Sequence, residues 1–100
     1  MEAPKLGKTI GEDVGRTLRR ARAARGLTLK EVGIASGGRF TPTAVAGYER
    51  GERSISLVRF CELAAFYGIE PERLLADALH PDERVVDLTP FEGRTSPAGG

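Results

Sequence analysis

The groups in this chain best equipped for chemistry are guanidinium ions. Five arginines fall within ten positions, Arg16, Arg19, Arg20, Arg22 and Arg25, and four more follow at Arg39, Arg50, Arg53 and Arg59. A planar guanidinium fork matches paired oxygens of a phosphate or carboxylate and the major-groove edge of guanine. Other reactive types are scarce. A single cysteine, Cys61, can form no internal disulfide, and a single histidine, His80, leaves no cluster for zinc or for an activated nucleophile. No paired carboxylates stand at usable spacing, so neither an enzyme nor a cofactor or metal is expected. Cys61 reads as a packing residue and His80 as the end of a helix.

The formal net charge of +1 conceals a separation of sign. Residues 1–59 carry twelve Lys and Arg against six acids, whereas residues 60–100 carry three against eight. A basic half fits a polyanion, because each cation that neutralises a phosphate releases a condensed counterion. Solvated helix faces would produce the same pattern, so charge alone leaves both readings open. At 100 residues and 40% hydrophobic content the chain specifies one small domain with a modest core and no room for a large cleft. No apolar run approaches the roughly 18 residues of a membrane span. Met1 to Lys8 is charged and lacks the apolar stretch of a secretion signal. A cytoplasmic address away from any membrane is the expectation.

The elements that must position the arginines are helices, since Gly and Pro punctuate short segments with helical periodicity and none with convincing strand alternation. A first helix is expected from near Thr9 to Gly26, with Ile10, Val14, Leu18 and Ala21 facing the core. Thr28 with Glu31 three residues on forms a capping box for a second helix from Leu29 to about Ser36, stopped by Gly37-Gly38. Thr41 caps and Pro42 begins a third helix that ends at Gly51. Ser54 or Ser56 caps a fourth, whose stripe is Leu57, Phe60, Leu63, Ala64 and Tyr67, and Gly68 closes it. A fifth starts at Pro71 and runs through Leu74, Leu75 and Leu79. Residues 1–8 read as a flexible lead, residues 9–79 as the domain, and residues 80–100 as a mostly disordered tail. Within that tail Val85, Val86 and Leu88 are either linker or a docking patch for a protein partner.

Two short helices joined by a glycine-containing turn, the second rich in small residues, suit the seating of one helix in a groove about 12 Å wide while the other braces the backbone. Residues 10–79 resemble the Xre/Cro-like helix-turn-helix family through Ile10-Gly11, Leu18-Arg19, Arg22, Gly26-Leu27-Thr28, Val45, Tyr48-Glu49-Arg50-Gly51, Leu57, Phe60, Leu63-Ala64, Tyr67-Gly68-Ile69 and Leu74-Leu75. Within it, Ser36, Gly38, Arg39, Phe40 and the run Tyr48 to Arg53 make the chain similar to the DNA-binding domain of BldD-type actinobacterial regulators. Two departures stand out: Leu29 replaces a glutamine that in many members helps bind the DNA backbone, and the turn before the third helix is about two residues longer than the commonest form.

The resemblance implies an all-α, five-helix, lambda-repressor-like domain that binds duplex DNA and regulates transcription from the nucleoid. It implies a symmetric homodimer on an inverted repeat, since one helix reads too few bases to be selective. By family register the base-reading face is Pro42, Thr43, Ala44, Ala46 and Gly47. Among these only Thr43 can hydrogen-bond, and the alanines can touch thymine methyls. Arg39 in the turn is the candidate for a bidentate guanine contact, with a phosphate contact or a solvated position as alternatives. Thr41, Arg50, Arg53 and Arg19 or Arg20 are the phosphate candidates. Arg22 and Glu49 correspond to an ion pair that ties the first helix to the third. Val45 and Tyr48 read as core. A second functional class remains open, an antitoxin-like or adaptor protein that holds a partner through the tail.

Overall fold

The computed structural model describes residues 8–81, and the expected docking patch at Val85, Val86 and Leu88 lies outside the described residues, as do residues 1–7 and the rest of the tail beyond residue 81. Within that span the elements are five helices: α1 Lys8–Ala24, α2 Leu29–Ala35, α3 Pro42–Glu49, α4 Leu57–Phe66 and α5 Pro71–Leu79. The described residues contain no strand.

Local sequence accounts for where these helices begin. Thr28 accepts from the Glu31 backbone N–H at 3.1 Å and the Glu31 carboxylate accepts from the Thr28 N–H at 2.9 Å, the reciprocal capping box that satisfies two end donors of α2. Thr41 caps α3 by accepting from Ala44 N–H at 3.2 Å, and Pro42 follows at the first position, where no N–H is needed. Of the two serines proposed for α4, Ser56 is the cap, accepting from Arg59 N–H at 3.1 Å. Helix α1 ends at Ala24, two residues before Gly26.

The core is assembled from all five helices and the connections between them. Leu18 and Ala21 of α1, Val32 of α2, Val45 of α3, Phe60, Leu63 and Ala64 of α4, and Leu74 of α5 are buried together with Phe40, Tyr67 and Ile69. Each large side chain so buried stabilises the fold by about 1.5–3 kcal/mol. Helix α1 packs on both α3 and α5, α2 on α3, and α4 on α5. Gly15 is what lets α1 come so near α3, since a Cβ there would stand 2.5 Å from the Tyr48 carbonyl oxygen. A second tie joins α1 to α5, where Arg20 donates to the buried Asp77 carboxylate at 2.8 Å.

Two members of the expected apolar stripes are left exposed, and Ile10 is only half-buried and outside the core cluster. Leu57 is 67% exposed and Leu79 is 45% exposed. Leu57 occupies the first turn of α4 and lines a surface groove with Cys61, Pro71 and Leu75. Leu79 is the last residue of α5.

Candidate nucleic-acid interface

The connection between α2 and α3 spans residues 36–41, and its backbone is closed by its own hydrogen bonds. Gly37 N–H donates to Ile34 at 3.0 Å, Gly38 N–H to Gly33 at 2.9 Å and Arg39 N–H to Ser36 at 3.2 Å. The first two need φ of +65° and +82°, the left-handed region where a glycine carries no penalty. The Ser36 hydroxyl donates to the Gly33 carbonyl at 3.2 Å and accepts from Phe40 N–H at 3.1 Å. The chain then drops Phe40 into the core, its ring centroid 6.0 Å from that of Phe66. Arg39 and Thr41, the two flanking residues, are left exposed on either side of this anchor.

Helix α3 is held from behind by one ion pair. Arg22 donates from Nε to Glu49 Oε2 at 2.7 Å and from Nη2 to Oε1 at 2.9 Å, while its Nη1 donates to the Leu27 carbonyl at 2.8 Å. All three guanidinium nitrogens are thereby engaged, and the side chains retain only 15% and 6% of their exposure. The hydrogen bond to Glu49 raises the Arg22 pKa above its already high ordinary value, overcoming the lowering that burial would cause. Behind the pair lies Tyr67, whose phenol is pushed up by burial, with the Glu49 charge adding to the shift and Arg22 opposing it. The buried Tyr67 hydroxyl makes no hydrogen bond among the described residues.

The outward face of α3 carries exposed Pro42 and Thr43 and half-buried Ala44 and Ala46. Val45 is fully buried and Tyr48 half-buried against the core. Gly47 departs from the expected base-reading set because it is buried under the Arg53 side chain, whose Cδ would stand 2.6 Å from a Cβ built there. Arg53 continues past it to place its guanidinium 5.9 Å from the Tyr48 ring centroid. These contacts fix the Arg53 stem on α3, although the residue as a whole stays exposed.

The remaining cations divide by position. Arg19 is exposed and, with Arg22, Leu29, Ala46, Glu49 and Arg50, lines a shallow recess of about 240 Å³ between α1, α2 and α3. Arg50 is exposed at the end of α3 and pairs with Glu52 at 3.0 Å. Arg20 does not accompany Arg19, since its partner Asp77 draws it toward α5. Leu29 contributes an apolar wall to the recess rather than a hydrogen-bonding group. Arg39 donates from Nη2 to both Glu62 oxygens at 2.8 Å. Neither Glu62 nor Arg59, which stacks 5.4 Å from the Phe40 ring centroid, carries any local signal of that role, because the contacts span 23 and about 20 residues of sequence.

Thr41, Pro42 and Thr43 are exposed at the start of a short helix beside Arg39, with Arg50 exposed at its other end and Arg19 sharing a recess with Arg50. An exposed helix start with short side chains can enter a groove and let its backbone approach closely. Among the described residues no group of His, Cys, Asp and Glu is placed to hold a metal ion, and no helix is long and apolar enough to cross a membrane.

Comparisons with known proteins agree with this architecture. The chain is similar to the crystal structure of the DNA-binding domain of BldD, with 36% identity and a TM-score of 0.66 over 69% of this chain and 97% of that one. The S. venezulae BldD DNA-binding domain matches at 39% identity and a TM-score of 0.62, over 64% of this chain and 93% of that one. The clp gene regulator ClgR from C. glutamicum matches at 26% identity and a TM-score of 0.65, over 85% of this chain and 100% of that one. No curated protein sequence matches the chain. A family model described as a helix-turn-helix domain matches residues 13–78, and the protein is a member of that helix-turn-helix family.

Proposed function

We propose that the chain is a DNA-binding transcription regulator that seats α3 in the major groove and reads sequence as a symmetric pair on an inverted repeat. The observation that carries this reading is the Thr41–Thr43 end of α3, exposed, capped, flanked by cations and braced from behind by Arg22 and Glu49. Thr43, Ala44 and Ala46 then face base edges, Arg39 reaches a guanine beside the helix, and Arg19, Thr41, Arg50 and Arg53 contact phosphates. A cytoplasmic place on the nucleoid follows from that role. Similarity to the DNA-binding domain of BldD supports it.

The pairing follows from reading length. One short helix spans few base pairs, and two related by a twofold axis reach half-sites about 34 Å apart. Selection of bound duplexes from a random pool at physiological salt tests every part of the reading together. The expected result is an enriched motif with twofold symmetry and a half-site spacing near one helical turn. Recovery of unrelated sequences would overturn sequence-specific binding, and an asymmetric motif would overturn the paired arrangement.

A further inference from the structure

Arg39 is already engaged in the chain without DNA. Its Nη2 donates to both carboxylate oxygens of Glu62 at 2.8 Å, and Glu62 also stands 3.9 Å from Arg59 Nη1. Arg59 in turn donates Nη1 to the Arg39 carbonyl at 3.2 Å while its guanidinium covers the Phe40 ring. This arrangement sets the Arg39 backbone against α4 and holds its side chain to one acid.

A guanidinium offers two edges bearing parallel N–H groups, one formed by Nη1 with Nη2 and the other by Nε with Nη2. Both edges require Nη2. A carboxylate that sets both oxygens on that nitrogen occupies at least one of its two N–H groups, and so competes for at least one of the forks by which an arginine reads the O6 and N7 of guanine or grips a phosphate. Contacts through Nη1 or Nε remain open, but a fork that uses the N–H held by Glu62 and the Glu62 contact exclude one another. The two side chains are 55% and 36% exposed, so water screens the pair and either partner can be exchanged.

We propose that Glu62 is an internal competitor for Arg39, an affinity-limiting residue of the DNA interface that vies with a base or phosphate for the N–H groups of Nη2. The inference rests on the DNA-binding reading above. Glu62 sits on α4, outside the helix-turn-helix pair, so it governs the contact without itself belonging to the reading surface. Because the pair is exposed, its grip amounts to no more than about fivefold in affinity.

The test is a double-mutant cycle on the full chain, using the duplex recovered from the random-pool selection and one fixed low salt concentration. Glu62→Gln removes a negative charge near DNA and so tightens binding somewhat whatever Arg39 does. That general electrostatic gain is shared by the Arg39→Ala background and cancels in the cycle. The expected result is that Glu62→Gln tightens binding about threefold more with Arg39 present than in the Arg39→Ala background, with Glu62→Ala giving the same coupling. An equal change in the two backgrounds would overturn the competition while leaving DNA binding intact. Failure of the unmodified chain to select any duplex would overturn the DNA reading and this inference with it.

Discussion

Arg22 and Glu49, 27 positions apart, face each other through two parallel N–H···O bonds of 2.7 and 2.9 Å, and the third guanidinium nitrogen closes onto Leu27. One side chain therefore joins the end of α1, the loop that follows it and the end of α3. Such a pair need not add net stability over an apolar contact, because desolvating both charges offsets their attraction. Breaking it is another matter.

Glu49→Ala leaves the Arg22 guanidinium enclosed with its main acceptor gone, and the expected cost is about 3–5 kcal/mol. Thermal unfolding followed by circular dichroism checks this. A melting temperature within a degree or two of the unmodified chain would mean that the pair does not hold the helices in solution.

Tyr67→Phe removes a buried hydroxyl that has no partner among the described residues, so at neutral pH it is expected to change stability by less than about 1 kcal/mol. Alkaline behaviour separates the two proteins. Since burial raises the folded phenol above its unfolded value of about 10, its contribution is intact below about pH 10 and is lost as pH rises beyond it. The phenylalanine variant lacks that loss, so its stability relative to the unmodified chain should grow above pH 10 in denaturant titrations. Parallel curves would show that the phenol is not shifted.

Two glycines of α1 should respond in opposite directions to alanine. Gly15→Ala forces a methyl against the Tyr48 and Glu49 carbonyls and is expected to cost at least about 1–3 kcal/mol. Gly11→Ala meets nothing within 4 Å and should stabilise the helix by about 0.5–1 kcal/mol. Equal shifts in melting temperature would contradict the close α1–α3 packing.

Arg39→Ala and Arg53→Ala discriminate base reading from phosphate contact. The first is expected to relax preference at one base pair at a cost of about 1–3 kcal/mol, and the second to weaken all duplexes alike and reduce the salt slope by about one. Titrations of selected and scrambled duplexes at several salt concentrations give both quantities. If Arg39→Ala weakens the two duplexes equally, Arg39 is no base reader.

The helix starts were legible because their chemistry is local. Thr28 with Glu31, Thr41 with Pro42, and Pro71 each act within one turn, and the structure places α2, α3 and α5 accordingly. What escaped depends on residues that meet only after folding. Glu62 reaches Arg39 across 23 positions and Asp77 reaches Arg20 across 57, and nothing near either acid in sequence marks it. Gly47 was set on the open face by family register, which is blind to Arg53, a residue beyond the end of α3 that folds back over it. Leu57 fits the periodic stripe of α4, yet periodicity does not say where the neighbouring helices stop. The partnership of Arg22 with Glu49 was visible only through family resemblance, since neither spacing nor residue type links them.

Phe40 has a consequence for how such a domain can change its target. Pinned in the interior between two outward neighbours, it sets the height and tilt at which they are presented. Residues 39 and 43 are thus available for replacement with little penalty to the scaffold, whereas Thr41 is tied to it by its cap on Ala44. The scaffold and the two outward positions can therefore be altered separately, as a key is recut without altering its shank.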